Sequence, residues 1–402
     1  MEKLERKTYP CYYNEVVAPF AASNVVGPFV FLSGFNGLTH LDVEKGIFEI
    51  AVGDAEAQVE AACQRIDAAL KQAGTSWENV FWRTYYVSSY WVYKKAYPIM
   101  EKYFKSKDGS GTLVICGLAH PNILFEVSFI AYIPGKGFER KTYPSYFNGV
   151  LQPFASSNTV GPFVFLSGVN GLTHLDVKKG IYEIDVGNVE TQTEVTFKRT
   201  TAALKQAGTS WENVFRGTYY VNSYWVYEKA YPIMEKYFKS KDVSSVLAVA
   251  GLAHHNVLHE FEFMAYIPEK GLERKTYPCY YNGVLQPFAT SNVVGPFVFL
   301  SGFNGLTHLD VEKGIFEIAV GDAEAQVEAA CQRIDAALKQ AGTSWENVFR
   351  GTYYVTNYWV YEKAYPIMEK YFKGKDVSAT LVVCGLAHPN VLIELEFMAY
   401  IP

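Results

Sequence analysis

Apolar and polar positions along this chain fall into short greasy runs and helical stripes that succeed one another in a fixed order. Residues 27–34 read Gly-Pro-Phe-Val-Phe-Leu-Ser-Gly, an apolar run bounded by Gly and Pro, which predicts a buried strand. A shorter strand is predicted before it, around residues 8–13. Residues 37–53 predict a loop or a hairpin that turns at Lys45-Gly46. Asp54 then stands as a helix cap. Behind it Val59, Ala62, Cys63, Ile66, Ala69, Leu70 and Ala73 recur at i, i+3, i+4, i+7 and form one apolar face. Gly74 ends that helix as a C′ glycine. Residues 79–87, rich in aromatic and β-branched side chains, predict a strand. Residues 91–105 predict a second helix, which Pro98 makes start late or kink. Two strands, 112–116 and 125–133, close the unit. The order is ββαβαββ, give or take a hairpin, which is an α+β unit with two helices on one face of a mixed sheet. Phe29, Phe31, Tyr85 and Val87 alternate with Val30, Leu32 and Tyr86, so both faces of these strands are apolar and both need a cover. The helices supply one.

The other cover follows from repetition. Glu5-Arg6-Lys7-Thr8-Tyr9-Pro10 returns from Glu139 and again from Glu273, a period of 134 residues. Ser33-Gly34, Ser167-Gly168 and Ser301-Gly302 keep the register, as do Trp77, Trp211 and Trp345, and residues 23–81 are identical to 291–349. The period is far longer than a solenoid repeat of about 20–50 residues and matches a domain that buries its own core. Three domains are expected, at 1–134, 135–268 and 269–402. Ile133-Pro134-Gly135-Lys136-Gly137 and Ile267-Pro268-Glu269-Lys270-Gly271 are short connections, which favour neighbours in space. The expected assembly is three sheets around a central axis with helices outside, a monomer that acts as an intramolecular pseudotrimer.

Composition narrows the partners. The chain is 49% hydrophobic and 19% charged, with a formal net charge of -5. No basic face is implied, so no nucleic-acid partner is expected. No apolar run reaches 18 residues, so no membrane span is expected, and residues 1–7 lack the apolar core of a signal peptide. Cys11, Cys63 and Cys116 recur as Cys279, Cys331 and Cys384, while the second unit has Ser145, Phe197 and Ala250. A disulfide within a unit would recur in all three, so reduced thiols and a cytoplasmic protein are expected. No CxxC pair, P-loop, dinucleotide fingerprint or Gly-x-Ser-x-Gly elbow occurs, and no cofactor is expected.

Several ordered motifs resemble the RidA/YjgF family of reactive-intermediate deaminases. They are Phe31-Leu32-Ser33-Gly34 with Asn36-Gly37, Gly53-Asp54-Ala55-Glu56-Ala57-Gln58, Ala73-Gly74-Thr75-Ser76-Trp77-Glu78-Asn79-Val80, Tyr103-Phe104, and a last strand carrying Glu126. The resemblance covers nearly all of each unit. It implies chorismate-mutase-like, RidA-like ββαβαββ units forming a pseudo-three-fold barrel with ligand clefts between units. It also implies an arginine before the penultimate strand that holds a substrate carboxylate by a bidentate pair. That stretch reads Ser110-Gly111-Thr112, Ser244-Ser245-Val246 and Ser378-Ala379-Thr380, with no arginine in any copy. The family glutamate persists as Glu126, Glu260 and Glu394.

The candidate catalytic groups are therefore those three glutamates and His120, His254 and His388. The histidines sit in a recurrent loop before the last strand and would titrate near neutrality; the bland alternative is a turn histidine capping backbone. Each glutamate lies in an otherwise apolar strand, where burial would raise its pKa; the alternative is an outward-facing strand residue. Candidate substrate-binding residues are Asn36, Asn170 and Asn304 after the Ser-Gly turn, Ser110, Ser244 and Ser378 in the altered arginine stretch, and Tyr86, Tyr220 and Tyr354. His255 and His259 join them, since they belong to the second unit alone. With His254 and Glu260 they form a group rich enough in ligands for zinc, but adjacent strand residues 259 and 260 point to opposite faces, and no metal site is expected. His40, His174 and His308 lie in surface loops. Three functions compete: a small-molecule enzyme of specialised metabolism doing acid–base chemistry (dehydration, tautomerisation, cyclisation or condensation) on an apolar or aromatic substrate; an imine or enamine deaminase of the RidA type; and a non-catalytic binding or scaffold protein.

Overall fold

The computed structural model describes residues 4–43, 45–104, 108–177, 179–310 and 313–402. Residues 1–3 and Lys105, the expected end of the second helix, lie outside them. The first unit runs β1 (Arg6–Tyr13), β2 (Val16–Val26), β3 (Phe29–Leu32), β4 (Phe35–Asn36), β5 (Leu38–Asp42), β6 (Ile47–Ile50), α1 (Ala55–Gln72), β7 (Val80–Val87), α2 (Tyr90–Tyr103), β8 (Ser110–Ile115) and β9 (Phe125–Tyr132). The same succession recurs twice more. The sheet order is β1-β2-β3-β9-β7-β8, with β4 also on β9 and β5–β6 forming a separate hairpin. Every pair is antiparallel except β7 with β8.

Local sequence explains the helices. Asp54 accepts from the Ala57 N–H as N-cap of α1, and Gly74 follows with φ +79, a left-handed conformation glycine adopts freely. Val59, Ala62, Cys63, Ile66 and Leu70 are buried against the sheet. Pro98 lies inside α2, and the helix runs unbroken from Tyr90 to Tyr103. The sequence pattern assigned no element to 16–26, which is a strand of 11 residues, the longest in the unit.

The three units close into a ring. The short strand Gly251–Leu252 of the second unit extends the first sheet at β8, Gly385–Leu386 of the third extends the second at Ser244–Val249, and Gly117 bridges back to Val383. Phe29, Phe163 and Phe297 meet edge to face at the centre, 5.6–5.8 Å apart. They lead an apolar cluster to which all three units contribute. This is the second cover that two-faced apolar strands require.

The repeated Glu-Arg-Lys-Thr-Tyr-Pro motif is the clasp of the ring. Arg6 donates to the carbonyls of Glu346 and Val348 in the third unit at 3.0 and 2.8 Å, and to that of Asp376. Arg140 reaches Glu78 and Val80, and Arg274 reaches Glu212 and Val214, in the same way. Each guanidinium is oriented by an asparagine of its own unit, Asn24, Asn158 or Asn292. Those asparagines donate in turn to a buried carbonyl of the neighbour.

Candidate functional site

Alternation along β9 decides where Glu126 points. Phe125, Val127 and Phe129 pack under the helices, so Glu126 lies on the opposite face, at the seam with the third unit. It is 3% exposed. Its carboxyl accepts from Asn36 Nδ2 at 3.0 Å and from the Leu381 backbone across the seam. Glu260 accepts from Asn170 at 2.9 Å and from Leu113 of the first unit at 3.4 Å, and Glu394 from Asn304 at 3.2 Å and from Leu247 of the second. Burial pushes the carboxyls of Glu126 and Glu394 up to about 7, against those hydrogen bonds, and raises that of Glu260. The Ser-Gly turn makes room for them: a Cβ on Gly34, Gly168 or Gly302 would lie 2.0, 2.3 or 2.0 Å from the carboxylate oxygen. Glycine is required there for close approach, not for backbone angle.

Glu260 and Glu126 each sit at the floor of a seam cleft. Between the first and second units lies a cavity of about 290 Å³, walled by Tyr85, Tyr90, Tyr93 and Tyr97 of the first unit and by Phe147, Leu172 and Tyr182 of the second, with Glu260 and Asn170 beneath. Between the third and first lies one of about 390 Å³, walled by Tyr353, Tyr358, Tyr361 and Tyr365 and by Leu38, Leu41 and Phe48, with Glu126 and Asn36 beneath. Each of these clefts sets four tyrosines around a buried carboxyl that burial raises.

The family model for Endoribonuclease L-PSP matches the chain three times, over residues 13–133, 149–267 and 283–401. The chain belongs to this family. A RutC family protein of Pyrococcus abyssi is 30% identical over 114 residues, which is 28% of this chain and 86% of that protein. A chorismatase of known structure superposes with a TM-score of 0.53 at 12% identity, covering 80% of this chain and 93% of that one. A member of the YjgF/YER057c/UK114 family from Mycobacterium tuberculosis is 25% identical over 32% of this chain and 99% of its own, with a TM-score of 0.26. This chain is thus a three-repeat, RidA-like protein.

Within this RidA-like frame the other candidate residues separate. Nδ1 of His120, His254 and His388 accepts a turn N–H from Asn122, Asn256 and Asn390. The rings of His120 and His388 stack on Phe48 and Phe316 at 4.2 and 3.8 Å, and that of His254 lies tilted against Tyr182 at 3.5 Å. Of the three, His254 lines a cleft, that between the first and second units. His255 lies tilted against His254 at 4.2 Å. His259 is turned away from the cleft: it is wholly buried under the helix Val189–Gln206 beside Thr196, and burial pushes its pKa down to about 3. Ser110, Ser244 and Ser378 are buried and donate across the seams to the Phe165, Phe299 and Phe31 carbonyls, so they fasten the ring outside the clefts. Tyr86, Tyr220 and Tyr354 lie near the central axis, with the Tyr86 and Tyr220 hydroxyls 3.5 Å apart. Among the described residues no group of histidine, cysteine and carboxylate is arranged to hold a metal, all six cysteines are free, and no helix is long and apolar enough to cross a membrane. Sequence reading missed the tyrosines of α2 and Arg199, which lines the first cleft and lies over Phe147 at 3.9 Å. Their signal was present: Tyr90, Tyr93 and Tyr97 recur at helical spacing in every unit.

Proposed function

We propose that this protein is a small-molecule enzyme that uses its inter-repeat clefts for acid–base chemistry on an apolar or aromatic substrate. The reaction class is dehydration, tautomerisation, cyclisation or condensation, in which a proton moves to or from carbon or a hydroxyl. One observation carries the reading: a fully buried carboxyl, pushed up to about 7 by burial, forms the floor of a tyrosine-walled cleft. Such a group populates both protonation states at neutral pH, the condition for an efficient general acid or base. Asn36, Asn170 and Asn304 orient it from one side, and a backbone N–H from across the seam, that of Leu381, Leu113 or Leu247, holds it from the other. His120, His254 and His388 are the second proton-carrying candidates, with their Nδ1 atoms engaged by the turn. The units 1–134, 135–268 and 269–402 would act as one ring in the cytoplasm, without a cofactor.

The test is proton exchange at carbon. Enzyme-dependent deuterium incorporation α to the carbonyl of aryl ketones, followed by NMR, should exceed the buffer rate. It should fall about 100-fold or more in E126Q/E260Q/E394Q and by less in H120A/H254A/H388A. Wild-type exchange no faster than buffer would point to a binding protein, and full exchange in the glutamine variant would remove the carboxyls from the mechanism.

A further inference from the structure

The clefts differ in charge, and the difference is built in. Arg83 on β7 lines the cleft between the first and second units, yet the second and third units carry Gly217 and Gly351 at that position. On the neighbouring strand Arg83 pairs with Gly111, whereas Gly217 pairs with Ser245 and Gly351 with Ala379. A Cβ on Gly111 would lie 3.0 Å from Arg83 Nε, and one on Gly109 would lie 2.4 Å from Nη1. Where the arginine is missing, Gly109 is replaced by Val243 and Val377. Two glycines in the first unit thus open the space that this one guanidinium occupies, against Phe104 at 4.6 Å and Tyr85 at 5.5 Å.

A second change runs the same way. Lys94 on α2 also lines this cleft, and its counterparts are Glu228 and Glu362. Glu362 lines the cleft between the third and first units. Arg199 acts on Glu260 as its counterpart Arg65 acts on Glu126, so the difference in charge lies in Arg83 and Lys94, where the other cleft has Gly351 and Glu362.

We propose that the cleft between the first and second units takes an aromatic carboxylate, its anionic end held by Arg83 and Lys94, and that the cleft between the third and first units refuses it. A guanidinium offers a planar fork that suits a carboxylate, and an ammonium adds a point charge. The tyrosines of α2 receive the ring, and a negative charge facing Glu362 in the other cleft is repelled. This rests on the reading that the clefts are ligand sites, and it assigns them different ligand classes within one molecule.

The test is calorimetric titration of the full chain with 1-naphthoate and with its neutral counterpart 1-naphthamide. Naphthoate should bind at one site per chain. R83G and K94E, which install the residues of the other units, should each weaken it about tenfold or more, while leaving naphthamide affinity within about twofold. G351R/E362K combined with V377G and A379G, which open the same space in the third unit, should add a second naphthoate site. Phenyl phosphate in a parallel titration separates carboxylate from phosphate preference, and a tighter phosphate would overturn the carboxylate assignment. Naphthoate that binds no better than naphthamide, or that ignores R83G and K94E, overturns the proposal while leaving the clefts as ligand sites. Failure of both probes to bind overturns the cleft reading with it. E260Q separates the roles further, since it should abolish proton exchange in this cleft yet retain naphthoate.

Discussion

At the scale of single residues, the last strand carries two burial effects of opposite sign. Glu126 and Glu394 are raised from 4.5 to about 7 by burial. Each holds its proton more tightly folded than unfolded, so each costs stability as pH rises from about 4.5 to 7, up to roughly 3 kcal/mol. His259 is lowered from 6.5 to about 3 by burial. The folded chain refuses a proton that the unfolded chain accepts, so this histidine costs stability as pH falls from 6.5. Two substitutions separate the limbs. Glu126→Gln should gain stability at pH 8 and gain much less at pH 5. His259→Phe, the residue that the first unit carries at Phe125, should gain about 2 kcal/mol more at pH 5 than at pH 8. It leaves Thr196 paired to the Gln192 carbonyl. Urea midpoints at the two pH values read both, and pH-independent effects would mean that these groups are not held as described.

At the scale of elements, the parts that were legible in sequence are those whose signals are local. The α1 stripe, its Asp54 cap and its Gly74 stop lie where the pattern put them because cap, face and terminator act within a few residues of one another. The strand Val16–Val26 was not legible, since Pro19 and polar residues interrupt it and its partners are set by the sheet. One clue to it was available. Its hairpin turns at Asn148-Gly149 and Asn282-Gly283 in the later units, with φ of 46 and 82 and of 45 and 82, the pair that two-residue turns favour. The first unit has Asn14-Glu15 there, and Glu15 holds φ 71. An L side chain in that region costs about 1 kcal/mol or more. Glu15→Gly should therefore stabilise the chain by about 0.5–1 kcal/mol once the greater freedom of glycine in the unfolded chain is counted. Ala at the same place should give no gain, and an alanine variant as stable as the glycine one would argue against strain at this turn.

At the scale of the whole molecule, repetition announced the ring, but not what a ring made from one chain is free to do. Identical subunits must change a residue at the axis three times at once, whereas fused units can change one copy. The axis shows this. The second and third units carry Arg216 with Glu262 and Arg350 with Glu396, where the first carries Trp82 with Ser128. One cation and one anion are missing together, so the buried cluster stays balanced. Arg216 pairs with Glu396 across the seam at 2.5 Å, Arg350 donates to Ser128 at 2.9 Å, and Glu262 accepts from Thr112 at 2.5 Å, its carboxyl pushed up to about 7 by burial. Both members of the Arg216–Glu396 pair are almost wholly buried, which makes the pair costly to break and no stronger than well-packed apolar residues of similar size. Glu396→Leu alone should cost about 3 kcal/mol, because the buried Arg216 then keeps only its longer contact with Glu262, at 3.8 Å. Arg216→Met with Glu396→Leu should recover most of that loss, because neither charge then remains. A double variant as unstable as the sum of its singles would show that the two residues act independently, and that the balance at the axis is not what holds them there.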